Sequence, residues 1–245
     1  MAQPGSVPEW GSGGPGFESR HPDRSHRVYR PESELTADPA TALARLQSRI
    51  RACRRCVAAG YIGRARPIVA GTIRDRIAIV GQAPGAVELA VGQPFSGRSG
   101  VELRRWLAEA GLDEAHLPYR TAITKCFPGK STTGSGDRRP SPAEIALCAP
   151  WLEQELALLR PRVVLLVGGL AIERFWGRIA LEEAVGTSRS RGGVTFIALP
   201  HPSGASRWLN DPAHRLLLKR ALAKVRRVAW RLDNAASEPT IPSRC

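Results

Sequence analysis

The sequence predicts an α/β fold, a three-layer α/β/α sandwich built around a short, mainly parallel sheet of four strands. Two apolar runs, at residues 77–80 and 163–167, have the composition of buried parallel strands. Segments with the apolar spacing of helices separate these runs. Strands that alternate with helices form a parallel sheet covered on both faces, so the two observations together indicate three layers.

The predicted elements follow one another from residue 38. Asp38-Pro39 is typical of an N-cap followed by the first residue of a helix, which we expect to run towards Cys53. The strands are predicted at residues 76–81, 119–124, 162–167 and 194–199. Further helices are predicted at 101–110, after a capping box at 141–144, after the glycine pair at 168–169, and at 212–232.

The two ends of the chain differ from its middle. Residues 1–37 are rich in Gly, Pro, Ser and charge without an apolar period, so we expect a disordered tail there. A single domain is expected at 38–232, followed by a flexible tail at 233–245. Apolar runs such as 163–167 are too short to span a bilayer, and no signal segment opens the chain. We expect a cytoplasmic, nucleoid-associated monomer without a membrane partner.

The charge of the chain is strongly positive. Lys and Arg number 36 against 22 Asp and Glu, a formal net charge of +14. The first 38 residues contain more acids than bases, so the excess lies in the predicted domain. Such an excess favours a polyanionic partner bound through phosphate contacts. A solvated basic surface without a partner is the alternative that composition leaves open.

Five cysteines supply a second pattern. Cys53 and Cys56 form a Cys-x-x-Cys pair, Cys126 follows the second strand, and Cys148 lies in a later helix. An odd number of cysteines in a chain without a secretion signal argues against a disulfide framework. Four thiolates from three segments are enough for tetrahedral zinc or for a [4Fe–4S] cluster, and spacing leaves both open. The basic segment around the pair is poorly suited to a core, which disfavours unrelated buried cysteines. Cys245 lies at the terminus.

The segments that follow the strands carry the candidate site, because ligands of parallel sheets bind beyond the carboxyl ends of the strands. After the first strand, the backbone amides of Gly81–Gly85 can approach a ligand closely. The same loop adds an acid, Glu88, and an aromatic ring, Phe95, that can stack on a planar base. His201 follows the fourth strand and can reach the same cleft. Taken singly, a tight turn, a core Phe and a structural His are the ordinary explanations.

Together these motifs point to one family. The order Gly81–Gly85, Glu88, Gly92-x-Pro-Phe95, Thr121–Cys126 and His201-Pro-Ser203 resembles the uracil-DNA glycosylase superfamily. With the cysteines included, the chain looks closest to the iron–sulfur families 4 and 5, over roughly residues 40–230. The resemblance implies a structural [4Fe–4S] cluster on Cys53, Cys56, Cys126 and Cys148. It also implies a DNA partner that contains uracil or another deaminated base.

The chain departs from both families. Family 4 usually has Glu at the position of Gln82, and an Asn that reads the uracil edge at the position of Ala122. Family 5 tends to have Ala there, as here, and a wider base choice, but its acid after the Phe-x-Gly is Arg98 in this chain. Excision of deaminated bases other than uracil is therefore left open. A related subgroup that becomes covalently linked to DNA uses a His within a loop that here, at 127–141, has none.

The resemblance assigns expected roles. Phe95 would stack on a base flipped out of the helix, and backbone amides near Gln82, Ala83 and Gly85 would bind its edge beside Ala122. His201 would stabilise negative charge at the base oxygen, and Glu88 would stabilise the sugar cation or position water, with Gln82 as the alternative holder of water. The expected phosphate contacts are Lys130, Arg139, Ser203, Ser206 and Arg207. Two other functions stay open: a damage-binding protein with little turnover and a zinc-stabilised RNA-binding module.

Overall fold

The computed structural model describes residues 38–112, 118–132, 136–204 and 207–237. Within them lies one sheet of five strands in the order β2-β1-β3-β5-β4. The strands are β1 (Ile77–Gly81), β2 (Tyr119–Ala122), β3 (Val163–Val167), β4 (Ser188–Arg191) and β5 (Val194–Leu199). The pairings of β1 with β2, β1 with β3, and β3 with β5 are parallel, which confirms the predicted sheet, although the predicted number of four strands is wrong.

The additional strand is β4, which pairs antiparallel with β5 at one edge of the sheet. Its sequence is Ser-Arg-Ser-Arg and all four residues are exposed, so no apolar alternation marks it as a strand. Gly192 and Gly193 join β4 to β5 with positive φ angles of 56° and 77°, the backbone that a two-residue hairpin turn requires. The hairpin is therefore encoded by its turn and not by its strand.

Eight α-helices lie in the described ranges. They are α1 (Pro39–Arg51), α2 (Arg55–Ala58), α3 (Ala86–Val91), α4 (Arg98–Glu109), α5 (Pro142–Leu159), α6 (Gly169–Trp176), α7 (Leu181–Ala184) and α8 (Pro212–Ser237), and a 3₁₀ helix spans Arg207–Asn210. Both predicted helix starts are confirmed. Asp38 accepts a hydrogen bond from the backbone of Thr41, and Ser141 and Glu144 form the reciprocal capping box of α5. Helix α8 continues beyond its predicted end at residue 232.

The strands divide their side chains between two layers of helices. Ala78 and Val80 of β1 face a core shared with α1 and α5, whereas Ile77 and Ile79 face a core shared with α4 and α8. The predicted three-layer sandwich is thus confirmed. None of the described helices is both long and apolar enough to cross a membrane. The predicted tail at 1–37 and residues 238–245 lie outside the described residues.

The strand order positions the site. After β1 the chain crosses to β2 on one side, and β3 lies on the other side of β1, so the loops that follow β1 and β3 diverge. Such a switch point leaves a crevice at the carboxyl ends of the strands. On the far edge, β2 is covered by an antiparallel bridge between Ala70 and Arg120. The crevice is therefore the expected place for a ligand.

Candidate active site and cysteine cavity

A cleft of about 660 Å³ lies at the carboxyl ends of β1, β2, β3 and β5, and we call it the cleft below. Its lining brings together nine of the predicted site residues: Gln82, Ala83, Gly85, Glu88, Phe95, Ala122, Lys130, His201 and Ser203. Arg139 and Arg207 do not line it, and Ser206 lies outside the described residues. Chain segments far apart in sequence therefore converge on one site, as the strand-end rule predicts.

His201 is held as a neutral ring. The backbone N–H of Ser203 donates to its Nδ1 over 3.2 Å, so Nδ1 carries no proton and Nε2 carries it. Burial lowers the pKa of the imidazole, which keeps the ring uncharged at neutral pH. Gly168, with φ +88°, makes room for the ring, because a Cβ there would stand 3.1 Å from its Cδ2. The ring thus offers one N–H donor, at Nε2.

Phe95 has a strained backbone, with a positive φ of 55° in a non-glycine residue. Its carbonyl accepts a hydrogen bond of 2.9 Å from Arg104, and Gly100 is close enough that a Cβ would clash with that carbonyl. The ring lies against the end of β1, where a Cβ at Gly81 would stand 3.0 Å from its Cζ. The loop therefore holds an aromatic ring against the end of β1, in the lining of the cleft.

Glu88 is buried at the start of α3 with both carboxylate oxygens occupied. Oε2 accepts from the backbone N–H of Gly85 over 3.0 Å, and Oε1 accepts from that of Gly97 over 2.8 Å. The carboxylate therefore ties the first turn of α3 to the loop that precedes α4. Its action on the sugar or on water stays a prediction. Both oxygens would remain hydrogen-bonded to the backbone while Glu88 acted.

The segments that follow β1 and β2 meet in the cleft. Ala122 contributes a methyl group, and its carbonyl is occupied by Lys125 Nζ at 2.7 Å. The carbonyl of Gln82 accepts from the backbone of Thr124 over 3.2 Å, which ties the loop after β1 to the segment after β2. Both segments contribute residues to the lining of the cleft.

The basic residues of the loop after β2 are engaged in ion pairs. Lys130 pairs with Asp137 over 2.7 Å, and Arg139 pairs with Glu173. Arg138 forms a bidentate pair with Glu144 at 2.6 and 2.7 Å, which anchors the loop to α5. The expected phosphate contacts of Lys130 and Arg139 remain predictions, and a phosphate would compete with their present partners.

The four predicted ligand cysteines line one cavity, called the cysteine cavity below: Cys53, Cys56, Cys126 and Cys148. All are free thiols. Burial, followed by repulsion from Cys148, raises the pKa of Cys56 to about 11, and the same two causes raise that of Cys126 to about 12. Thiols so perturbed stay protonated at neutral pH unless a cation replaces the proton.

Hydrogen-bond donors surround these sulfurs. Trp151 Nε1 donates to Cys53 over 3.4 Å, and the backbone N–H of Lys125 donates to Cys148 over 3.3 Å. The buried hydroxyl of Thr124, which lines the same cavity, has no partner within the described part of the chain. Among the described residues, no three Cys, His, Asp or Glu side chains are arranged to hold a single metal ion. The cavity thus brings together four thiols and hydrogen-bond donors to two of them.

A buried ion pair that the sequence did not predict connects the cleft with the cysteine cavity. Lys125 and Glu155 are fully buried and 2.7 Å apart. Lys125 also donates to Thr121 and Ala122, and Glu155 accepts from Tyr119 over 2.9 Å. Burial and the Glu155 charge raise the pKa of the Tyr119 phenol, which stays a donor. No periodicity could have revealed the pair, since its partners lie 30 residues apart on different elements.

Comparison with known proteins agrees with this geometry. Residues 69–225 match the profile of the family described as the Uracil DNA glycosylase superfamily. A Type-4 uracil-DNA glycosylase of Thermotoga maritima is 28% identical over 178 residues, which cover 71% of this chain and 88% of the relative. A Type-5 uracil-DNA glycosylase of Thermus thermophilus is 36% identical over 135 residues, 49% of this chain and 58% of the relative. That of Pyrobaculum aerophilum is 29% identical over 200 residues, with 75% and 83% covered.

Relatives of both types match, which agrees with the predicted place between families 4 and 5. The family match spans more than half of the chain and contains all five strands. The chain therefore belongs to the uracil DNA glycosylase superfamily and is a DNA glycosylase, a hydrolase of N-glycosyl bonds.

Proposed function

We propose that this enzyme excises uracil from DNA after flipping the nucleotide into the cleft. The observation that carries the proposal is the neutral His201, whose one N–H donor belongs to the same cleft as the Phe95 ring. A flipped base needs a stacking surface and a donor at its edge, and the cleft offers both. The printed names of the relatives, which are uracil-DNA glycosylases, support the same substrate.

The chemistry requires stabilisation of two developing charges. As the N-glycosyl bond lengthens, its electron pair moves to the base and the sugar becomes an oxocarbenium-like cation. The Nε2–H of His201 would donate to the base oxygen on which the negative charge develops, and a neutral donor suits this task because it retains its proton. Glu88 would stabilise the sugar cation through space, since both of its oxygens remain bonded to the loop. The Gln82 amide is the alternative holder of water.

The base range is expected to be wider than uracil. Ala122 has no amide with which to read a base edge, so one side-chain contact that would favour uracil over other bases is missing. A site that lacks such a paired polar contact rejects analogues only weakly. Hypoxanthine, xanthine and ethenocytosine are therefore the bases to compare with uracil.

The four cysteines would hold a [4Fe–4S] cluster. The convergence of four thiols on one cavity supports a cluster, and so do the relatives of types 4 and 5, which the chain resembles. Zinc would bring all of its thiolates to one ion, whereas each thiolate of a [4Fe–4S] cluster binds its own iron. The role of the cluster would be structural, because hydrolysis of an N-glycosyl bond involves no oxidation or reduction. Iron and sulfide analysis of the purified protein, with Cys56→Ser as the variant, tests it. A colourless wild-type protein with stoichiometric zinc would contradict it.

In the decisive experiment, the wild-type protein is incubated with single- and double-stranded oligonucleotides that contain uracil, hypoxanthine, xanthine or ethenocytosine. Alkali then cleaves the strand wherever a base has been removed. We expect strand cleavage at uracil. The competing function, damage binding with little turnover, is favoured by the full occupation of the Glu88 oxygens. Tight, lesion-dependent binding without cleavage under single-turnover conditions would support that competitor and contradict excision.

A further inference from the structure

A second carboxylate stands in the cleft beside Glu88. Asp137 lines the cleft, and its Oδ2 lies 2.8 Å from the point that a Cβ at Gly85 would occupy. Glu88 Oε2 lies 2.8 Å from the same point. Any side chain at that position would therefore meet a carboxylate on either side, so the glycine is what allows the two acids to flank this turn.

The two carboxylates differ in how their oxygens are used. Both oxygens of Glu88 accept from backbone amides of the loop, and the side chain is only 9% exposed. Asp137 gives one oxygen, Oδ1, to Lys130, and it is Oδ2 that is turned towards Gly85. Its side chain is 33% exposed. Of the two acids, Asp137 is thus the one that water and a nucleotide can reach.

The loop that carries Asp137 is fixed on both sides. Lys130 and Asp137 form an antiparallel bridge, and the backbone of Ser131 donates to Gly136 over 2.8 Å. One residue after Asp137, Arg138 is bound to Glu144 of α5 through two hydrogen bonds. The carboxylate is therefore presented by a paired segment, 130–131 against 136–137, that is anchored to α5, a geometry suited to a group that must meet a reacting atom.

We propose that Asp137 is a catalytic carboxylate of the cleft, the general base for the attacking water, an inference that rests on the proposed glycosylase function. The bond between the base nitrogen and C1′ breaks, and its electron pair leaves with the base. The water oxygen bonds to C1′, and its proton passes to Asp137 Oδ2 and then to solvent. The base anion takes a proton from solvent, so the products are the free base and a C1′ hydroxyl. Lys130 holds the other oxygen and orients the carboxylate.

Two acids and one amide of the cleft would then have different tasks. Glu88 shapes the loop and supplies a fixed charge, Gln82 lines the base pocket, and Asp137 handles the proton of water. It also gives Lys130 a positioning role in place of a direct phosphate contact. The three tasks predict different losses when each side chain is changed.

The test measures single-turnover excision of uracil for wild type, Asp137→Asn, Glu88→Gln and Lys130→Met. Affinity for an oligonucleotide with a non-hydrolysable 2′-fluorinated deoxyuridine is measured in parallel, together with the melting temperature. Asp137→Asn keeps the shape of the side chain and removes its basicity, so the rate should fall about a hundredfold or more while affinity is unchanged or tighter. Glu153→Gln, which alters an ion pair with Arg174 outside the cleft lining, is the matched charge control and should leave rate and affinity unchanged.

The outcomes separate this inference from the proposed function. A wild type that excises uracil, with Asp137→Asn within about threefold of its rate, would overturn the role of Asp137 and leave the glycosylase intact. A wild type without excision would overturn the proposed function itself. A slow Asp137→Asn whose affinity falls as much as that of Lys130→Met would mean that the carboxylate only holds Lys130 for DNA. Partial rescue of the rate by Asp137→Glu would support proton transfer.

Discussion

The cleft and the cysteine cavity meet at the segment after β2, yet they are built in opposite ways. Around the cysteines, two of the four sulfurs accept hydrogen bonds and the adjacent Lys125 is neutralised by Glu155. The cleft instead presents polar atoms for which the described residues give no hydrogen-bond partner, His201 Nε2 and Asp137 Oδ2, beside a strained backbone at Phe95. The side chains expected to stabilise the fold and those expected to act on a ligand are therefore neighbouring but separate sets.

We expect the largest effect when the ion pair between the two regions is broken. Glu155→Ala leaves Lys125 charged and buried without its partner, so unfolding free energy should fall by about 3–5 kcal/mol. Chemical denaturation of the purified protein measures it. As a control, Lys125→Met combined with Glu155→Leu should recover most of the loss, because no unpaired charge remains. A single variant that loses less than about 1 kcal/mol would show that the pair does not hold the two regions together.

The next largest effect is expected in the cleft, at His201. His201→Ala removes the donor to the base oxygen, so the single-turnover rate should fall about a hundred- to a thousandfold, equivalent to about 3–4 kcal/mol. DNA affinity and melting temperature should change little, in contrast to Glu155→Ala. Gly168→Ala should also slow the reaction, because its methyl group crowds the imidazole ring. If His201→Ala keeps a near-normal rate, the donor role is wrong.

A smaller effect depends on pH. Burial lowers the pKa of His201 in the folded protein, so above the ordinary value of 6.5 the ring is neutral in both states and contributes no pH dependence. As pH falls below that value, the unfolded chain binds the proton first and the wild type loses stability. His201→Asn should lose less stability than wild type between neutral pH and about pH 5. Parallel pH profiles for the two proteins would contradict the buried neutral ring.

The smallest expected effect concerns the surface outside both regions. Arg207 is exposed at the start of the 3₁₀ helix and is a predicted phosphate contact. Arg207→Gln should weaken binding of any DNA sequence several-fold at low salt and reduce the slope of log affinity against log salt by about one. The excision rate of bound DNA should not change. An unchanged salt slope would remove Arg207 from the interface.

Local signals predicted the frame of the molecule well. The caps at Asp38 and Ser141 were predictable because each depends on neighbours three residues away, and β1 and β3 because each is a continuous apolar run. The meeting of Phe95 and His201 in one cleft followed from the rule that loops converge at strand ends. These features require little knowledge of tertiary packing.

The remaining features depend on contacts that only the folded chain creates. The pairing of Lys125 with Glu155 joins a strand end to a helix, and nothing in their spacing announces it. Asp137 has no motif of its own, and its place beside Gly85 follows from the path of a paired polar segment. The sequence also did not predict that both oxygens of Glu88 accept hydrogen bonds. One of the donors is the backbone N–H of Gly97, which only the folded loop brings to the carboxylate.

The two edges of the sheet bear on how copies of this chain behave when crowded along DNA. An unpaired strand edge is a template for another strand, and neighbouring copies on one polyanion would bring such edges together. Here β2 is covered through Ala70, and β4 ends the opposite edge with a short strand that carries Arg189 and Arg191. Like charges on facing edges repel, so this edge disfavours pairing of β4 with the same strand of a second copy.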